Sequence, residues 1–242
     1  MQDFDPSKIK LITFDCYGTL IDWETGLQNS LASLAGVTKQ LLPDLVQQYV
    51  QTEAAIEQQA YQSYSAIQRQ TIHALAERHR LPVSPESADL LSQDIGNWVP
   101  FADTIDALKR LKSRFMLGIL SNIDIDLFAR TNRRLGIEFD LIITAEDVRS
   151  YKPSHEHFLR ALEQSRLGKG EILHVAQSLF HDAAPAAALC FNFVWINRYN
   201  QSKPDDVPMI KELPDLKSLA DLLQCPPNPT SSASGTSGES RS

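Results

Sequence analysis

The chain has 242 residues, 43% hydrophobic and 22% charged, which suits one large domain or a core carrying an insertion. Its formal net charge is -7 and it has no dense Lys/Arg block, which argues against nucleic acid and an anionic membrane surface as partners. Three scattered cysteines (Cys16, Cys190, Cys225), a polar start (MQDFDPSKIK) unlike a signal peptide, and no apolar run near the roughly 20 residues of a membrane span predict a soluble cytoplasmic protein.

The first element is the strand within LITFDCYGTLID, residues 11–22. An apolar run ends in Asp15, with Gly18 and Thr19 following, as in a buried parallel strand that delivers a carboxylate to the loop at its carboxyl end. From Trp23 to about Asn97 the chain is rich in Gln, Ala, Leu and Glu, and reads as mostly helical. Ile67, Ile72, Leu75 and Ala76 recur there at helical spacing, which predicts one buried face.

Beyond Pro100 helices and strands alternate. A helix over Thr104–Ser113 leads to a strand over Phe115–Asn122, and a helix over Ile125–Leu135 to a strand over Phe139–Thr144. A helix over Ser154–Gln164 then precedes a strand over Ile172–Ser178, and a helix over Pro185–Leu189 precedes a strand over Phe191–Asn197. Such alternation predicts an α/β fold, a doubly wound (Rossmann-like) parallel sheet with an inserted helical cap. The expected units are a core of residues 1–22 and 98–224, a cap of 23–97, and a disordered Ser-rich tail of 225–242.

Parallel strands end on one edge of their sheet, so polar residues at different strand ends converge on one crevice. Here these are Asp15, then Ser121 and Asn122, then Lys152 before Pro153, then Gln177 and Ser178 with Asp182. An oriented, ionised carboxylate is a covalent nucleophile, and a nearby ammonium favours its charged form. Ser and backbone N–H groups suit a substrate anion, and Asp182 suits either holding Lys152 or acting on water. Taken singly, each has a bland alternative: Asp15 as a turn former, Lys152 as a solvated charge, Ser121-Asn122 and Asp182 as helix caps. His155 and His157 read as solvated helix residues, His181 as surface or core, and Tyr151 and Trp195 as packing.

The segments FDCYGTL, LSN, YKP and VAQSLFHD resemble the four ordered motifs of the haloacid dehalogenase superfamily, over about 200 residues. The nearest branch is that of the type II 2-haloacid dehalogenases, in which Tyr stands two residues after the nucleophile, as Tyr17 does here. The resemblance implies hydrolysis of 2-haloacids to 2-hydroxy acids and halide through an ester on Asp15. It implies that Thr19 and Ser121 position carboxylate groups, Lys152 keeps Asp15 ionised, and Asp182 supports Lys152 and water. Cys16, Tyr17, Asn122, Gln177 and Ser178 would surround the substrate. The implied substrate is a small carboxylate, with no metal or other cofactor, and homodimers are common in the family.

The related phosphatases carry a second acid where this chain has Tyr17, and a Gly-Asp pair where it has Ala176-Gln177. Two oxygen ligands for Mg²⁺ are therefore missing. The branch also places an Arg early in the cap to receive the halide, but here no Arg precedes Arg69, and Glu53 and Glu57 occupy the early cap. Asn122, Trp or Tyr groups, or Arg69 are the remaining candidates for a halide cradle. In the last motif the family's Asn is Leu179 and a neighbouring Ser is Gln177. The alternatives are opening of a C–N bond in a small cyclic amino acid, which the acidic early cap would suit, a Mg²⁺ phosphatase, and a non-catalytic binding protein.

Overall fold

The computed structural model describes residues 4–202 and 207–226. Strand β1 (Leu11–Phe14) is followed by five helices: α1 (Trp23–Ala32), α2 (Leu42–Glu57), α3 (Tyr64–His79), α4 (Pro85–Ala88) and α5 (Leu90–Asp94). Next come α6 (Thr104–Lys112), β2 (Met116–Ser121), α7 (Ile125–Leu135), β3 (Leu141–Thr144), α8 (Ala145–Val148) and α9 (Glu156–Ser165). The chain continues through β4 (Ile172–Ala176), a π-helical turn (Leu179–Ala183), α10 (Ala184–Ala188), β5 (Asn192–Ile196), β6 (Lys211–Leu213) and α11 (Leu216–Leu222).

The six strands form one sheet in the order β3-β2-β1-β4-β5-β6, and every neighbouring pair is parallel. The chain steps outward from β1 to β3, then returns to β4 on the other side of β1. That reversal opens a crevice at the carboxyl ends of β1 and β4, where ligands bind in doubly wound sheets. Asp15 follows β1 directly and so stands at the reversal.

Every residue of β1 and of β4 is buried, as expected for strands covered on both faces. Successive side chains point to opposite faces, so the core divides into two clusters. One contains Ile12, Phe14, Leu117, Ile119, Leu173 and Val175 and is continuous with Leu27, Leu31, Leu45 and Ile67 of the helices after β1. The other contains Leu11, Leu141, Ile143, Ile172, Phe193 and Trp195. Among the residues read as a buried helical face, Ile67, Ile72, Leu75 and Ala76 are all buried in α3.

The strand positions agree with the sequence reading, each strand being trimmed by one or two residues at an end. β6 and α11 were not anticipated, since their three and seven residues carry too little periodic pattern to register. Two residues assigned to the tail are held in place: Cys225 is buried, and Arg110 donates to the carbonyls of Cys225 and Pro226. Residues 227–242, the rest of that tail, lie outside the described residues. No helix among the described residues is long and apolar enough to cross a membrane.

Two contacts fasten the helical block to the strand-end loops. Asp124, after β2, accepts hydrogen bonds from the backbone N–H of Tyr64 (2.7 Å) and of Ser65 (2.9 Å). These are among the N–H groups that a helix start leaves unpaired, so a core residue caps α3. The Tyr151 hydroxyl donates to the Gln62 carbonyl at 2.8 Å, and its ring stacks on Tyr61.

Candidate active site

Asp15 leaves the sheet at a tight turn. Gly18 takes φ +94°, a conformation that side chains with a Cβ rarely adopt, and its N–H donates to the Ile21 carbonyl at 2.8 Å. The turn brings Thr19 back under the acid: Thr19 Oγ1 donates to Asp15 Oδ2 at 3.0 Å and accepts the Gln177 N–H at 2.9 Å. Arg198 Nε secures the turn through the Thr19 carbonyl at 2.9 Å, while its guanidinium pairs with Asp103 and covers the Phe101 ring.

Lys152 reaches the same point from the segment after β3. Its ammonium donates to Asp15 Oδ1 (3.0 Å), Asp182 Oδ1 (2.6 Å) and the Leu120 carbonyl (2.8 Å), which uses all three N–H bonds. Asn122 pins this segment by a reciprocal pair: its Oδ1 accepts the Lys152 N–H, and its Nδ2 donates to the Lys152 carbonyl. The Lys152–Pro153 peptide bond is cis.

Asp182 is carried on the π-helical turn, whose N-cap is Ser178. His174 Nε2 donates to Asp182 Oδ1 at 2.9 Å, and Thr13 Oγ1 lies 2.9 Å from His174 Nδ1. Both donors to Asp182 use the same oxygen. Asp182 Oδ2 and Ser121 Oγ are buried without a hydrogen-bond partner among the described residues.

Two carboxylates around one ammonium set the charges. Burial pushes the Asp182 carboxyl up, but Lys152 and His174 outweigh it and hold its pKa well below the usual range. Burial works against the Lys152 ammonium, yet Asp15 and Asp182 together hold its pKa above the ordinary lysine value. For Asp15 burial is the largest influence and raises its pKa, opposed by the Lys152 charge and assisted by Asp182.

A cavity of about 280 Å³ opens above this group. Asp15, Tyr17, Ser121, Asn122, Lys152 and Asp182 line it, as do Gln177 and Ser178. Of the ten residues singled out in the sequence, two do not reach it. Cys16 is fully buried in the core, because the side chain after Asp15 points to the opposite side of the chain, and burial raises its thiol pKa. Thr19 lies beneath Asp15 and touches the cavity only through it. Tyr17 lines the cavity with its ring, while its hydroxyl pairs with Thr131 Oγ1 at 2.7 Å and its ring meets Trp98 edge-on.

Arg69, weighed as part of a halide cradle, does not line the cavity; it pairs with Asp89 on the surface at 2.6 Å. Trp23 and Tyr64 do line it. His157, read as solvated, is buried: its Nε2 donates to the Ser121 carbonyl at 3.2 Å, and burial lowers its pKa to about 3. It sits on the inner face of α9, where its i+4 neighbour Ala161 is also buried. His155 is exposed as expected. Trp195 is a packing residue whose Nε1 donates to the Gln177 carbonyl. His181 joins the cavity wall, and burial lowers its pKa.

No pattern in the sequence points to His174, which lies mid-strand in an apolar run, nor to Asp124 or Arg198. Glu53 and Glu57 were noticed for the absence of an Arg. Both line the cavity from α2.

A family model described as haloacid dehalogenase-like hydrolase matches residues 9–189. An (S)-2-haloacid dehalogenase of Pseudomonas putida is 32% identical over 209 residues, 79% of this chain and 86% of that protein. A haloacetate dehalogenase of Moraxella sp. (strain B) is 28% identical over 198 residues, 79% of this chain and 87% of that protein. The solved structure of L-2-haloacid dehalogenase from Xanthobacter autotrophicus with chloropropionic acid covalently bound matches with a TM-score of 0.78 and 20% identity. It covers 89% of this chain and 98% of that one, a likeness of fold.

Proposed function

The chain belongs to the haloacid dehalogenase-like hydrolases, and from that premise we propose that it hydrolyses small 2-haloacids to 2-hydroxy acids, with Asp15 as nucleophile. The observation that carries this reading is the Lys152 ammonium shared between Asp15 and Asp182 in the lining of a cavity that Ser121, with its unpartnered Oγ, also lines. The helices of residues 23–97 act as the cap, and residues 1–22 and 98–224 as the core that carries the chemistry.

The steps follow from the charges. Ser121 Oγ donates to the substrate carboxylate and fixes its α-carbon over Asp15. The Asp15 carboxylate forms a bond to that carbon as the carbon–halogen bond breaks, and halide departs with the bonding pair. The product is an ester on Asp15. Water then attacks the Asp15 carbonyl carbon and gives a proton to Asp182 Oδ2; as the adduct collapses the departing alkoxide oxygen takes that proton, releasing the 2-hydroxy acid, and Asp15 loses the remaining proton to solvent. Lys152 stays close to the reacting carboxyl throughout and offsets the negative charge that develops on it.

A phosphoryl-transfer reading fits these residues less well. It needs an acid two positions after the nucleophile, where Tyr17 has its hydroxyl committed to Thr131, and another where Gln177 stands. Halide leaves as a weak base and needs no such acid.

The test is halide release from 2-chloro-, 2-bromo- and fluoroacids in EDTA, with Asp15→Asn as control. Release that persists in EDTA and vanishes in the variant supports the proposal. Absence of release from every acid contradicts it.

A further inference from the structure

An in-line displacement at carbon sends the leaving group away from the attacking oxygen. Asp15, from the strand-end loops, and Val50, Glu53, Ala54 and Glu57, from α2, line the same cavity. The α2 spacing of three and four residues places these four on one helix face. That wall has no arginine or lysine, and among the described residues the only Lys or Arg lining the cavity is Lys152, whose three N–H bonds are already taken. A halide leaving Asp15 into this cavity therefore meets two carboxyl groups.

The two carboxyls are held differently. Burial raises the Glu53 pKa, and hydrogen bonds to its Oε1 from the Tyr49 hydroxyl at 2.7 Å and the Tyr64 hydroxyl at 2.8 Å oppose that rise. Glu57, one turn further along, receives neither. Its side chain is 11% exposed, and its Oε2 lies 4.0 Å from His181 Nε2. Two largely buried anions one turn apart repel each other, and a proton on Glu57 relieves this. Ser121 and Asp182 line the same cavity, and Ser121 Oγ and Asp182 Oδ2 are buried polar atoms without a hydrogen-bond partner among the described residues.

We propose that Glu57 is the leaving-group site: as a neutral carboxylic acid it donates a hydrogen bond to the departing halide, in place of a cation. This rests on the dehalogenase reading. The Asp15 O–C bond forms, the C–X bond breaks, and the halide carries away the electron pair while accepting the Glu57 O–H. The proton stays on Glu57. Fluoride, the smallest halide and the strongest hydrogen-bond acceptor, gains most from such a donor.

Burial, followed by the Glu53 charge, raises the Glu57 carboxyl to a pKa of about 9, with Lys152 opposing. The charged and titratable groups around it are Tyr49 and Glu53 of α2, Tyr64 of α3, Tyr151 and Lys152 after β3, His181 and Asp182 of the π-helical turn, Asp15 and Tyr17 after β1, Glu24 of α1, and Tyr199 after β5. Burial holds His181 below its ordinary value and Tyr64 well above its own, so neither gains or loses charge near pH 9.

The experiment is binding of bromide to the free enzyme, read by quenching of tryptophan fluorescence, since Trp23 lines the cavity. Wild type should bind about 10- to 100-fold more weakly at about pH 10.5 than at pH 7, the range of a hydrogen bond to a charged partner. Glu57→Gln, which keeps a donor at both pH values, should remove that pH dependence, and Glu57→Ala should bind weakly at both. Equal binding by wild type and Glu57→Ala overturns the proposal, as does a pH dependence that survives in Glu57→Gln. Preferential binding of ethylammonium over bromide, lost in Glu57→Gln, also overturns it and favours a cationic substrate. Bromide binding requires no turnover. An enzyme that binds bromide as described but releases none from haloacids would refute the proposed reaction and leave the anion site standing.

Discussion

Lys152 Nζ lies 3.0 Å from Asp15 Oδ1, across 137 residues of sequence, and the same ammonium lies 2.6 Å from Asp182 Oδ1. One buried cation holds two buried carboxylates, and removing it leaves like charges facing each other without solvent. Lys152→Met should therefore abolish halide release and destabilise the fold by about 3–5 kcal/mol in urea unfolding, the usual cost of breaking a buried ion pair. A loss below about 1 kcal/mol would mean that the three groups are not charged as described.

His174 acts through Asp182. Its hydrogen bond fixes the carboxylate so that Oδ1 faces His174 and Lys152, while Oδ2 has no partner among the described residues and, in the proposed reaction, is the oxygen that takes the proton of water. His174→Phe frees that rotation and should slow ester hydrolysis more than ester formation. Rapid-quench kinetics should show a burst of halide equal to the enzyme concentration, followed by a steady rate about 10- to 100-fold below wild type. A purely structural role would slow both steps together and give no burst.

Glu57 makes stability depend on pH. Its folded pKa, about 9, lies above its ordinary value of 4.5, so the folded state binds more protons between these values. Its contribution is favourable in full below about pH 4.5 and is lost as pH rises toward 9. Glu57→Gln carries no titratable group there. The variant's melting temperature, relative to wild type, should rise progressively from pH 5 to about 9 and level off beyond it. A difference that is constant with pH would place an ordinary, solvated carboxylate at this position.

The order of strands and helices was legible because the apolar runs at Leu11, Met116, Leu141, Ile172 and Asn192 are separated by amphipathic helices. The convergence of Asp15, Ser121, Asn122, Lys152 and Asp182 was legible for a related reason: a parallel sheet brings distant strand ends to one edge. What escaped notice was set by side-chain direction and not by pattern. Cys16 follows Asp15 directly yet enters the core, and Tyr17, although it lines the cavity, ties its hydroxyl to α7. His157 looks solvated in EHF but lies on the inward face of α9. His174 lies inside ILHVA, where a buried imidazole is indistinguishable from a packing residue until Asp182 is seen beside it. The two acids of α2 stood out as a departure from the family, and only the cavity gives them a common location.

The central claim is that Asp15 becomes covalently bonded to the substrate. A single turnover in H₂¹⁸O, with enzyme in excess over a 2-chloroacid, tests it most directly. In the proposed sequence the product's new hydroxyl oxygen comes from Asp15, and the solvent oxygen enters the Asp15 carboxyl. Mass spectrometry should then find unlabelled 2-hydroxy acid and ¹⁸O in the peptide containing Asp15. Labelled product with an unlabelled Asp15 peptide would show direct attack by water and contradict the account.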